Sequence, residues 1–204
     1  MQEANKKPPG KFIVFYGINN LGKTTQVKKL VERLKDEGYP VEYLKYAIYD
    51  LEPSGPVLNG YLREGNPYNL SAREFQIFQA FNRTQYDPVL RKKIENNAII
   101  VAEDYTGTSI AWGMGAGVEK EFLVRINSHC LKEDLGILLD GERFTSGIEK
   151  EHKHETDNEL TDRVRQIHLD LGQEYGWKKV NANQGIEEVH RDIWQLVNQI
   201  LKNN

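Results

Sequence analysis

An apolar stretch, FIVFY (12–16), runs straight into GINNLGKT (17–24), and then into the helix-like segment QVKKLVERLKDEG (26–38). Two glycines five residues apart, then lysine and threonine, give the pattern G-x-x-x-x-G-K-T. Between a strand and a helix this pattern leaves few folds open. Gly17 and Gly22 permit a tight curl in which backbone N–H groups converge on one point. The following helix adds the positive end of its dipole. Such a cradle suits phosphate oxygens. Lys23 would reach the β- and γ-phosphates of a nucleotide, and Thr24 would offer its hydroxyl to Mg²⁺. Gly17, Asn19, Asn20, Leu21, Gly22, Lys23, Thr24 and Thr25 are therefore candidate ATP-binding residues. A chance match in a glycine-bearing turn is the alternative, and the strand–loop–helix context argues against it.

The rest of the chain repeats the alternation. Val27, Leu30, Val31 and Leu34 mark one face of a helix that stops at Gly38. VEYLKY (41–46), AIIVAED (98–104), LGILLD (135–140) and WKKVNA (177–182) read as further strands. Residues 71–96 read as a helix opened by Ser71, with Glu74 at capping-box spacing, and Pro88 is expected to kink or divide it. Residues 159–176 and 186–203 read as helices. The pattern predicts an α/β fold of the P-loop NTPase type: a parallel sheet of about five strands with helices on both faces. Residues 1–10 read as a loose tail and 11–204 as one domain. The Pro- and Gly-containing stretch 49–70 reads as a functional loop, and the polar stretch 141–159 as a lid.

The formal net charge of −3 argues against broad binding to nucleic acid or acidic membrane. No apolar run approaches the ~20 residues that span a bilayer. Cys130 is the only cysteine, which excludes an internal disulfide, reads as a small core residue and suits a reducing cytoplasm.

A P-loop does not by itself separate a kinase from a GTPase or a motor. The N-K-x-D segment that reads guanine is absent from the sequence. Other segments resemble the thymidylate kinase family: FIVFYGINNLGKTTQ at the start, LEPSG (51–55), FNRTQ (81–85), EDYTGTSIAW (103–112), the pair Leu139 and Asp140, and IEEVHRDIWQLV (186–197). The resemblance implies transfer of the ATP γ-phosphoryl group to dTMP, giving dTDP, with Mg²⁺. It also implies a homodimer, with residues 117–131 a candidate contact helix. On the same basis Arg83 would contact the pyrimidine, and Glu52, Phe78, Tyr105, Thr108 and Trp112 would line the acceptor site. Asn183 joins the ATP site. Two family arginines that face the acceptor phosphate are replaced by Leu51 and Asp104. Arg63, Arg73, Lys45 or a Mg²⁺ held by Glu103 and Asp104 would then have to compensate. A deoxynucleoside kinase, whose acceptor is a hydroxyl, and a nucleotide-binding protein without turnover are the two rival readings.

Glu103 and Asp104 end a buried strand, where a carboxylate can hold Mg²⁺ or orient the acceptor. An N-cap is the alternative for Asp104. Glu52 is open to two readings, a surface charge or a partner for a sugar hydroxyl. Arg143 is the lid candidate to neutralise charge on the transferred phosphoryl, with Lys150 and Lys153 next. His152 and His154 read as solvated rather than zinc-binding. The run GMGAG (113–117) lacks the frame of a dinucleotide site.

Overall fold

Phe12, Ile13, Val14, Phe15 and Tyr16 are fully buried because β1 (Lys11–Tyr16) occupies the centre of the sheet. A strand covered on both faces carries an unbroken apolar run rather than an alternating one. In the computed structural model, which describes residues 9–144 and 158–202, β1 pairs in parallel with β3 (Ile99–Glu103) and β4 (Leu135–Asp140). β2 (Val41–Lys45) and β5 (Lys178–Asn181) close the two edges, giving the order β2-β3-β1-β4-β5 with every pair parallel.

Parallel neighbours require crossovers, and helices supply them. α1 (Lys23–Asp36) packs on β2 and β3 and against α7 (Ile186–Lys202), which also lies on β4 and β5. The opposite face carries α3 (Ala72–Glu95), α4 (Thr106–Gly115), α5 (Lys120–Asn127) and α6 (Asn158–Tyr175). The expected face of α1 is the buried one: Val27, Leu30, Val31 and Leu34 all belong to the main core. Ser71 caps α3 as anticipated, accepting from the Glu74 N–H while the Glu74 carboxylate accepts from the Ser71 N–H at 2.8 Å.

Three expectations need correction. The stretch 49–70 is not all loop, because it contains α2 (Ser54–Arg63). Leu58, Tyr61 and Leu62 follow helical spacing and pack with Phe75 of α3 in a second, smaller core, while Pro56 falls in the first turn, where its missing N–H costs little. Pro88 does not divide α3, which runs unbroken from Ala72 to Glu95. Buried anchors on both sides of it, Ala80 and Leu90, hold the two halves in register against the ~3 kcal/mol cost of an interior proline. Asp104 is not an N-cap. Tyr105 holds that position, and Asp104 itself adopts φ 60.

The glycines of α4 serve packing rather than a dinucleotide. A Cβ on Gly107 would lie 2.4 Å from the Trp177 ring, and one on Gly115 would lie 2.5 Å from Val164. Trp177 stacks on Tyr16 at 3.8 Å, and Cys130 is buried, so both are core residues. Trp194 is half-buried and carries the Arg33 guanidinium over its ring at 3.8 Å.

Candidate active site

The carboxyl ends of β1, β3 and β2 meet at a cavity of about 290 Å³. Crevices of open α/β sheets form at these strand ends. The P-loop turns there through three left-handed residues, Gly17 (φ 127), Asn20 (φ 61) and Gly22 (φ 78). Only glycine fits at 17, since a Cβ would stand 2.4 Å from the Leu139 carbonyl oxygen. Asn20 is among the side chains that tolerate this region. Lys23 folds back over its own loop, its ammonium donating to the carbonyls of Gly17 (3.0 Å) and Ile18 (2.9 Å) and lying 3.7 Å from Asp104 Oδ1.

Glu103 is the most heavily engaged acid. Thr24 Oγ1 lies 2.8 Å from both of its oxygens, the Tyr43 hydroxyl donates to Oε2 at 2.8 Å, and Lys45 Nζ stands 3.0 Å from Oε1. Burial alone would raise its pKa, but the charges of Lys45 and Lys23 and the Tyr43 hydrogen bond hold it below the ordinary glutamate value. Asp104 goes the other way. Burial pushes it up, the adjacent Glu103 adds to the rise, and Lys23 opposes it. Thr108 donates to Asp104 Oδ1 at 3.1 Å.

Arg83 forms the inner wall of the cavity and is 2% exposed. Its Nε donates to Asn127 Oδ1 and its Nη2 to Ser109 Oγ, each at 3.0 Å. No carboxylate among the described residues pairs with it, and burial lowers its pKa. A buried cation with neutral partners is costly unless a ligand supplies oxygen acceptors.

Asn19, Asn20, Gly22, Lys23, Thr24, Arg83, Glu103, Asp104, Tyr105, Thr108 and Trp112 all line this one cavity. Gly17 and Leu21 shape the loop from behind, and the Thr25 side chain is exposed beside it. Glu52 and Phe78 do not line it. Glu52 is exposed on the chain entering α2, and the segment after β2 that reaches the cavity comes earlier, through Lys45, Tyr46, Ala47 and Tyr49. Phe78 sits about 100° around α3 from Gln79 and packs on the second core instead. The cavity face of α3 is Phe75, Gln76, Gln79 and Arg83. Their spacing of eight, seven and four residues before Arg83 was the available signal for Phe75 and Gln76. Arg63 and Lys45 also line the cavity, whereas Arg73 points away, paired with Glu119 and over the Phe122 ring.

Asn183 lies elsewhere, in a recess at the ends of β4 and β5, where it accepts from the Glu142 N–H at 2.6 Å and donates to the Glu142 carbonyl at 2.9 Å. It thereby fixes the chain entering the lid stretch. Arg143 reaches back to α6, 3.4 Å from Asn158 Oδ1 and from Thr161 Oγ1. Lys150, His152, Lys153, His154 and the remainder of the lid at 145–157 lie outside the described residues, as do residues 1–8 of the tail.

The donor set at Thr24, Glu103 and Asp104 is wholly oxygen, and Mg²⁺ commonly takes one or two carboxylates together with phosphate oxygens and water. Among the described residues no group of three or more His, Cys, Asp or Glu side chains could cage a metal alone. The set fits an ion that arrives with phosphate.

Residues 15–193 match the family described as thymidylate kinase. A probable thymidylate kinase of Pyrococcus abyssi is 30% identical, covering 92% of this chain and 96% of that relative. The thymidylate kinase of Arabidopsis thaliana is 27% identical over 96% of this chain and 73% of its own length. The structure of thymidylate kinase from Candida albicans superposes with a TM-score of 0.78 at 20% identity, over 95% of this chain and 93% of that one. That from Ehrlichia chaffeensis gives 0.74 at 17%, over 93% and 100%. These likenesses do not favour a nucleoside kinase or a silent nucleotide binder. With its P-loop, sheet order and near-full-length match, the chain belongs to the thymidylate kinase family.

Proposed function

We propose that the protein transfers the γ-phosphoryl group of ATP to the 5′-phosphate of dTMP, giving dTDP and ADP. One observation carries the reading: a single cavity joins the P-loop to a buried, carboxylate-free arginine. It is lined by four cationic side chains, Lys23, Lys45, Arg63 and Arg83, against two acids, Glu103 and Asp104. That excess of positive charge suits a dianionic acceptor phosphate and answers the loss of the family arginines without Arg73.

The residues act by position and charge, as phosphoryl transfer requires. The P-loop N–H groups hold the donor phosphates, and Lys23 exchanges its carbonyl partners for their oxygens. Thr24, Glu103 and Asp104 would hold Mg²⁺, which supplies charge neutralisation at the β- and γ-phosphates. Lys45 and Arg63 hold the acceptor phosphate. Phe75, Tyr105 and Trp112 give flat apolar surface for the nucleoside, and Arg83 donates to the base. Arg143 stands at the lid entrance to meet charge on the transferred group.

We further propose a cytoplasmic homodimer. No helix among the described residues is long and apolar enough to cross a membrane. Exposed apolar side chains lie four and eight residues apart on α3, at Ile77, Phe81 and Val89, whereas α5 offers only Val124. The test of function is direct. Protein with ATP, Mg²⁺ and dTMP should yield dTDP and ADP in equal amounts by chromatography, and ADP appearing without dTDP would refute the assignment.

A further inference from the structure

Ser109 has one hydrogen to donate, and its direction fixes the groups around it. Its oxygen accepts from Arg83 Nη2 at 3.0 Å, since a guanidinium can only donate. The hydroxyl donates to Gln76 Oε1, at 2.5 Å. An amide whose oxygen is committed in this way must turn its NH₂ in the other direction. Gln76 is 3% exposed and lines the cavity, and its Nε2 makes no hydrogen bond among the described residues. Behind Arg83, Asn127 is equally committed, accepting from Arg83 Nε at 3.0 Å and donating to the Leu123 carbonyl at 2.8 Å. The inner end of the cavity therefore presents two fixed donors, a guanidinium and an amide NH₂, one hydroxyl apart.

We propose that Gln76, locked by the Ser109–Arg83 relay, selects a pyrimidine carrying a carbonyl at C4 over one carrying an amino group there. This rests on the reading of dTMP as acceptor. A carbonyl oxygen has two lone pairs and satisfies both donors. An exocyclic amino group directs its own hydrogens at them and leaves buried donors unpaired, the arrangement that gives a site its largest discrimination. Gln76 and Arg83 are seven residues apart on α3, which places them on one face. Ser109 comes from α4, so the reading head is assembled only when the two helices pack.

The test compares kcat/KM for dTMP and dCMP in the wild-type protein and in Gln76→Glu, Ser109→Ala and Ser109→Thr, with the KM for ATP and the melting temperature of each. The wild type should prefer dTMP by roughly 100-fold or more. Gln76→Glu should cut that ratio by roughly tenfold or more, because a carboxylate oxygen accepts where the amide donated. Ser109→Ala should also lower the ratio, since the freed amide can turn its oxygen inward, while Ser109→Thr keeps the hydroxyl and the ratio. The KM for ATP should not move. Folded Gln76→Glu and Ser109→Ala proteins that turn over dTMP with the wild-type ratio would overturn the relay and leave the dTMP assignment standing. A wild type that phosphorylates neither nucleotide would remove both. If Gln76→Glu fails to fold, Ser109→Ala decides, and equal equilibrium binding of dTMP and dCMP to the wild type would also overturn the proposal.

Discussion

Asp104 is held in a position that costs the fold something. It is a non-glycine residue at φ 60, beside a second acid, with its pKa raised by burial. A carboxyl whose folded pKa lies above its unfolded value weakens the folded state at neutral pH, and the penalty fades as pH falls through the folded pKa. Asp104→Asn should therefore raise the melting temperature at pH 7, because asparagine accepts the left-handed conformation at least as readily. The gain should vanish in acid. The same variant should raise the Mg²⁺ requirement and weaken dTMP binding, and Glu103→Gln should do more damage because Thr24, Tyr43 and Lys45 all converge on Glu103. Tighter dTMP binding in Asp104→Asn at unchanged Mg²⁺ dependence would mean that Asp104 only repels the acceptor. Lys23→Ala should lower kcat by roughly 10²–10³-fold or more while the protein stays folded, as circular dichroism would show.

Among the elements, α3 does most to assemble the cavity, and Asn82 ties it to the rest. The Asn82 amide bonds both the N–H and the carbonyl of Ile48, each at 2.9 Å, and donates to Ser54 Oγ at 2.8 Å. Asn82→Ala should cost about 2–4 kcal/mol in denaturant unfolding, since it strands buried backbone groups of the segment after β2. It should also raise the KM for dTMP, because Tyr46, Ala47 and Tyr49 lie on that segment. α6 contributes a second measurable feature. Burial lowers the pKa of His168 to about 4, with the ring nitrogen Nδ1 donating to the Val164 carbonyl at 2.9 Å. The unfolded chain takes up that proton near pH 6.5, so the stability is complete above pH 6.5 and is lost as pH falls towards 4. The loss should amount to roughly 3 kcal/mol. The strands and α1, α3, α6 and α7 were legible from apolar spacing. α2 and α4 were not, because glycine and proline there serve close packing and a first turn, and a sequence presents the same residues as a loop.

For the whole molecule, phosphate chemistry was legible and the acceptor wall was only partly so. The P-loop is local, so spacing alone brings its residues together. Lys45, Arg63, Phe75, Gln76 and Ser109 come from four elements, and no periodicity links them until the sheet and helices pack. Quaternary structure follows the same logic. Light scattering should give twice the 23.5 kDa chain mass, and Phe81→Asp should shift the protein to monomer. The central claim is that the cavity accepts a pyrimidine monophosphate, and it is tested by measuring kcat/KM with saturating ATP and Mg²⁺ for dTMP, dUMP, dCMP, dGMP and free thymidine. The expected result is dTMP as best acceptor, ahead of the purine nucleotide by roughly 100-fold or more, with thymidine not consumed. Consumption of thymidine without dTMP would contradict it.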